Sequence, residues 1–279
     1  MIVMYPLQEP DSLFLHLIIA HELGHSATTE FGIVDSIFGE DPDPAQTRAE
    51  LAAAVVAYTT AEGATPPVAR AKVRAILRKW LTELICDGLA LGFFGPSFLY
   101  TAAAFSTPFG GPEPSDTHPP FTLRTTFLLR HLDTWGWESH AKAATPATWK
   151  WIERAAGLPL LAGRRTYYLR LEETLKRLLP VVTQVLADHL GDDRFAPAAF
   201  DEVSDELKTL LEHDILPAQL LDRSAAGRRA IIFAGWLQAF NKHGDGAAGL
   251  AAIVGDRALQ RFLSKALEMS VVLERWAAL

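Results

Sequence analysis

The sequence predicts a mainly α-helical fold, and three observations carry that expectation. Apolar residues recur three and four apart over long stretches, as in Leu171, Leu175, Leu178, Leu179, Val182 and Leu186, which is the spacing of one stripe along a helix. No alternating strand pattern occurs after the first few residues, so at most a short N-terminal strand is expected. Prolines stand where the periodic segments begin, at Pro66-Pro67, Pro146 and Pro197, as suits the first turn of a helix. With 279 residues and 49% hydrophobic content, the chain can bury a sizeable core.

Taken in order, Met1 to Tyr5 is apolar and halted by Pro6, which reads as the strand or an extended edge. Asp11-Ser12 supplies capping oxygens for a helix from about Leu13 to Thr29, with Gly32 at its end. Gly39 to Pro44 is an acidic, proline-broken loop. Thr47 to Thr60 is Ala- and Val-rich and predicts a second helix, and a long third helix is expected from Val68 to Phe94. Arg70, Arg74 and Arg78 recur along its first half as a solvated basic face. The apolar run Leu89 to Phe105 approaches a membrane span at about 17 residues, but Gly92, Gly95, Pro96 and Ser97 interrupt it. Two core helices joined at Gly95-Pro96 are expected instead. Ser106 to Pro120 is the main loop. Helices follow over about 123–132, 146–156, 167–190, 197–213, 227–241 and 256–276.

The first helix carries His21-Glu22-Leu23-Gly24-His25. A helix brings positions four apart onto one face, so His21 and His25 can offer two imidazole nitrogens to one metal ion. Zinc takes neutral imidazoles at about 2.0–2.1 Å, and a carboxylate one residue after the first ligand can reach a water there. Glu22 is therefore the candidate general base. The competing reading is a buried helix that contains two histidines and a glutamate by chance, but Leu17, Ile18, Ile19, Ala20 and Leu23 would then bury an unpartnered carboxylate at a cost.

A catalytic zinc takes three protein ligands and keeps one position open. No histidine stands where the short metzincin continuation requires one, and Glu30 is five residues past His25, off the ligand face. Glu50 and Glu62 lack a second carboxylate one turn on, whereas Glu83 has Asp87. A ligand carboxylate beside one that can hold a ligand histidine is the pair a zinc site uses. Farther on, Pro119-Pro120 fixes the backbone after His118.

HELGH, then ELICD on a downstream helix, then a Pro- and Gly-containing loop closing in THPPFTLR resembles the gluzincin family that contains the CAAX prenyl protease and the heat-shock protease HtpX. Glu83 and Asp87 match that family's ExxxD, and His118 and Arg124 its late histidine, followed by Pro, and the arginine six residues on. The resemblance covers about residues 13–125. It implies that His21, His25 and Glu83 bind Zn2+, that Glu22 activates water, and that Asp87 orients a ligand histidine. It also implies a catalytic oxyanion role for His118 and a substrate-binding role for Arg124 on that side of the cleft.

The domain expectation is a zincin-like helical metallopeptidase core over 1–125 and a helical extension over 126–279. The functional expectation is a zinc-dependent endopeptidase acting on a protein or peptide substrate. The alternative is a non-catalytic interaction or regulatory protein that retains a structural zinc site. A net charge of −7 with dispersed basic residues argues against a nucleic-acid partner. A lone cysteine, Cys86, and the lack of a charged-then-apolar leader point to the cytoplasm, and the broken apolar run argues against membrane association. The C-terminal helices leave room for a partner chain or a homo-oligomer.

Overall fold

The structure, a computed structural model, describes residues 13–38, 47–106, 114–157, 165–213, 215 and 225–277. Among them every regular element is helical. The expected strand at Met1 to Tyr5, the acidic loop at Gly39 to Pro44 and part of the main loop, 107–113, lie outside the described residues.

The helices are α1 (Leu13–Glu30), α2 (Ile33–Phe38), α3 (Arg48–Glu62), α4 (Pro66–Phe94), α5 (Pro96–Ser106), α6 (Phe121–Thr134) and α7 (Glu138–Ala144). They continue with α8 (Pro146–Ala156), α9 (Thr166–Leu190), α10 (Pro197–Glu212), α11 (Ala225–His243), α12 (Ala247–Val254) and α13 (Arg257–Ala277). The long helices fall close to their expected spans. Three short ones, α2, α7 and α12, were not expected, because six to eight residues are too few to print a stripe in the sequence.

Helix α4 is the axis of the molecule. From Trp80 to Gly92 only Thr82 escapes full burial, because α1, α3, α5, α6 and α9 pack around it. Glycines set two of those approaches. An added Cβ at Gly88 or Gly92 would lie 2.3 Å from a methyl of Leu186 or Leu190, so side chains of α9 occupy the space that α4 leaves empty.

The break in the apolar run falls at Gly95, whose φ of 55° and N–H bond to the Leu91 carbonyl end α4 before Pro96 opens α5. Both sides of the break are core. Leu89, Ala90, Leu91, Phe98, Leu99 and Tyr100 are buried, and the Phe195 N–H donates to the Gly92 carbonyl at 2.8 Å. Among the described residues no helix is long and apolar enough to cross a membrane.

The second half of the chain is joined to the first through one buried core. Trp236 of α11 meets Phe14 of α1 with ring centroids 4.3 Å apart and Tyr100 of α5 at 5.6 Å. Residue 125 itself lies inside α6.

Candidate metal centre

The site begins with a missing side chain. At Gly24 an added Cβ would lie 3.0 Å from the Cys86 Cα and 3.1 Å from its Cβ, so α1 and α4 touch there nearly backbone to backbone. On α1, His21 and His25 flank that contact, and on α4 Glu83 and Asp87 flank Cys86 one turn apart. Thr28 Oγ1 sits 3.8 Å from Cys86 Sγ, and burial pushes the Cys86 thiol well above its ordinary pKa, which keeps it protonated and inert.

His21, His25 and Glu83 present ligand atoms that all lie within 4.8 Å of one another. His21 Nε2 is 3.4 Å from Glu83 Oε2, and His25 Nε2 is 3.4 Å from Glu83 Oε1. A tetrahedral metal about 2.0–2.1 Å from each ligand sets ligand–ligand edges of about 3.3–3.4 Å; each imidazole stands at that distance from one Glu83 oxygen, a different oxygen in each case, in a cluster spread over up to 4.8 Å. A second observation agrees. Glu83 Oε2 is buried and makes no hydrogen bond among the described residues; His21 Nε2 at 3.4 Å and Arg124 Nη1 at 3.7 Å give it charge contacts only, and a bound cation would satisfy it. Burial pushes the Glu83 pKa up, but the neighbouring His21 imidazole and the Arg124 charge outweigh it and hold the carboxyl below its usual range. Burial also pushes the His21 imidazole down, yet the Asp87 bond and the Glu83 carboxylate beside it prevail and raise it to about 9. A metal must displace that proton, so loading the site releases it.

Asp87 is buried and its oxygens are committed. Oδ1 accepts from His21 Nδ1 at 2.9 Å and from Arg124 Nη2 at 2.7 Å, while Oδ2 accepts from Arg124 Nε at 2.7 Å. The first bond fixes His21 Nδ1 as a donor to Asp87 and aims Nε2 towards Glu83, where a metal would take the place of the Nε2 proton. The second is a two-pronged guanidinium clamp. Burial would raise the Asp87 pKa, but Arg124 and His21 hold it far below the carboxylate range. The Arg124 guanidinium, for which the resemblance implies a substrate-binding role, clamps Asp87 and has Nη1 3.7 Å from Glu83 Oε2. The six-residue spacing from His118 singled the arginine out; nothing in it showed which carboxylate it meets.

His118 stands at the end of the described part of the main loop, half exposed, with Nε2 3.8 Å from Glu83 Oε2. The loop is pinned by Trp80 Nε1 donating to the Ser115 carbonyl at 2.7 Å, by Lys72 on Asp116 at 2.8 Å, and by the Tyr168 hydroxyl donating to Asp116 at 2.8 Å. No sequence signal marked Lys72, Trp80, Asp116 or Tyr168, because they meet only in three dimensions. Glu22, partly exposed, lines with His25, Ser26, Thr29 and Glu30 an open recess of about 530 Å³. The other carboxylates weighed from sequence have cationic partners elsewhere, Glu50 on Arg177 at 2.6 Å and Glu62 on Arg165 at 2.8 Å. The basic face of α4 is also partly engaged, since Arg78 pairs with Asp35.

The fold and site define a helical protein with a His–His–carboxylate cluster suited to a metal ion. Compared with known proteins, the chain matches no family model, no curated protein and no solved structure.

Proposed function

We propose that this chain is a zinc-dependent endopeptidase with a zincin-like helical core, similar to the gluzincins of the CAAX prenyl protease and HtpX. The observation that carries the reading is the openness of the ligand cluster: His21 and Glu83 are buried, but the His25 side chain is 35% exposed beside the recess that Glu22 lines. Structural zinc sites are closed by four protein ligands, and catalytic ones keep a position for water or substrate. Two imidazoles and one carboxylate suit zinc.

His21, His25 and Glu83 would hold the ion, which supplies a Lewis acid that lowers the pKa of water towards about 7 and polarises a carbonyl. The chain's own groups do the rest. Asp87 keeps the His21 proton on Nδ1, and Arg124 keeps Asp87 charged and in place. Glu22 takes a proton from the attacking water as its oxygen bonds to the peptide carbonyl carbon, then gives that proton to the amine nitrogen as the C–N bond breaks. His118 Nε2 donates a hydrogen bond to the carbonyl oxygen as its charge grows, a contribution of about 2.7–4 kcal/mol for donors of this kind.

The test is metal analysis joined to proteolysis. The purified chain should carry about one zinc, cleave casein or a peptide library, lose activity to a chelator and regain it with zinc. Glu83→Ala should lose most of the metal, since two imidazoles make an incomplete site. Full zinc occupancy with no cleavage of any peptide would favour the metal-stapled interaction protein.

A further inference from the structure

Ser115 and Thr117 form, with His118, a chain of hydroxyls whose proton order can be read from the backbone. The Ser115 Oγ accepts two backbone N–H groups, from Thr117 at 3.2 Å and from His118 at 3.0 Å. A hydroxyl has two acceptor lone pairs and one proton, so the Ser115 proton is the one left for its remaining neighbour, Thr117 Oγ1 at 3.0 Å. Thr117 Oγ1 then has its own proton free for His118 Nδ1 at 2.8 Å.

At the far side of the ring, His118 Nε2 faces Glu83 Oε2 at 3.8 Å. That oxygen, which His21 Nε2 and Arg124 Nη1 also approach at 3.4 and 3.7 Å, belongs to a carboxylate that can only accept, so a proton on His118 Nε2 is attracted and a lone pair there is repelled. The two ends agree. We propose that Ser115 and Thr117 are positioning residues that hold His118 in the tautomer with its proton on Nε2, directed at the His21–His25–Glu83 cluster. The tautomer stands on the contacts at the two ring nitrogens; its use as a donor to the substrate oxygen rests on the peptidase reading.

The relay is separable from the fold. Thr117 is exposed, and the loop is fixed by Trp80, Lys72 and Tyr168 through atoms other than the Thr117 hydroxyl. Thr117→Val keeps the shape and removes the O–H, while Thr117→Ser keeps the O–H and removes a methyl.

The experiment is 15N NMR of the full chain labelled at histidine, under mildly alkaline conditions, with the His118 signals assigned by their loss in His118→Gln. The wild type should show an unprotonated, pyridine-like Nδ1 and a protonated, pyrrole-like Nε2. Thr117→Val should move the tautomer ratio towards the Nδ1 proton by about five- to tenfold, the loss of one ordinary hydrogen bond, and Thr117→Ser should restore it. On a cleaved peptide, kcat should fall in Thr117→Val in proportion to the measured loss of the Nε2–H population, with KM little changed, and recover in Thr117→Ser. A protonated Nδ1 in the wild type, or the same ratio in Thr117→Val, overturns the relay. The NMR result holds or fails without any proteolysis, so it is distinguishable from failure of the peptidase reading.

Discussion

Replacing Gly24 with alanine tests whether the metal cluster depends on how closely α1 approaches α4. The new Cβ would meet backbone, the Cys86 Cα at 3.0 Å, where ordinary contact begins at about 3.4 Å. Backbone cannot swing aside, so the two helices must part by a few tenths of an ångström. Overpacking of this kind costs about 1–3 kcal/mol, against which alanine returns about 1 kcal/mol of helix preference over glycine. The net loss of stability should therefore be small, about 0–2 kcal/mol. Zinc sites, by contrast, tolerate ligand displacements of about 0.2 Å. The opening acts directly on the two 3.4 Å separations between α1 imidazoles and Glu83. Gly24→Ala should lower zinc affinity tenfold or more while the chain still melts cooperatively within a few degrees of the wild type, as read by competition with a chromophoric chelator and by thermal denaturation. Gly88→Ala is the control, because its Cβ meets the flexible end of Leu186 on another side of α4 and should leave zinc affinity unchanged. Wild-type affinity in Gly24→Ala, or equal losses in both variants, would refute the argument.

Other outcomes follow from the same contacts. Arg124→Met leaves Asp87 buried with only His21 beside it and should cost about 3 kcal/mol, the lower end of the 3–5 kcal/mol for a broken buried pair, because the Arg124 side chain is 21% exposed; an unchanged denaturation midpoint would contradict this. His131 of α6 donates Nδ1–H to the Phe127 carbonyl at 2.8 Å and is fully buried, and burial lowers its pKa from 6.5 to about 4. The unfolded chain therefore takes up this proton first: the contribution is constant above about pH 6.5 and falls by about 3 kcal/mol on acidification to pH 4. His131→Phe should flatten stability over that interval in denaturant titrations, and an unaltered acid slope would show that another group is responsible. Gly95→Ala forces a side chain to φ 55° against Phe195 and Trp137 and should destabilise the chain by about 1–3 kcal/mol, measured by calorimetry; a variant as stable as the wild type would remove Gly95 as the joint between α4 and α5.

Much of the helical frame was legible because each long helix writes its buried stripe into the sequence, as α9 does from Leu171 to Leu186. The joint at Gly95-Pro96 was legible for a different reason, a residue that favours positive φ followed by one that opens a helix. The site was partly legible: spacing within α1 and within α4 placed His21 with His25 and Glu83 with Asp87. Nothing local says that the two helices meet, since that depends on Gly24 lying on Cys86. The same limit hid the clamp of Arg124 on Asp87 and the pins on the His118 loop, which join residues from 35 to 52 positions apart.

The most direct measurement compares wild type with Glu22→Gln, both loaded with zinc, for cleavage of one peptide substrate. Glu22 is not among the three ligand residues, so the variant should keep about one zinc per chain and bind the peptide. Because an amide cannot take the water's proton, turnover should disappear. Cleavage by Glu22→Gln at the wild-type rate would contradict the account.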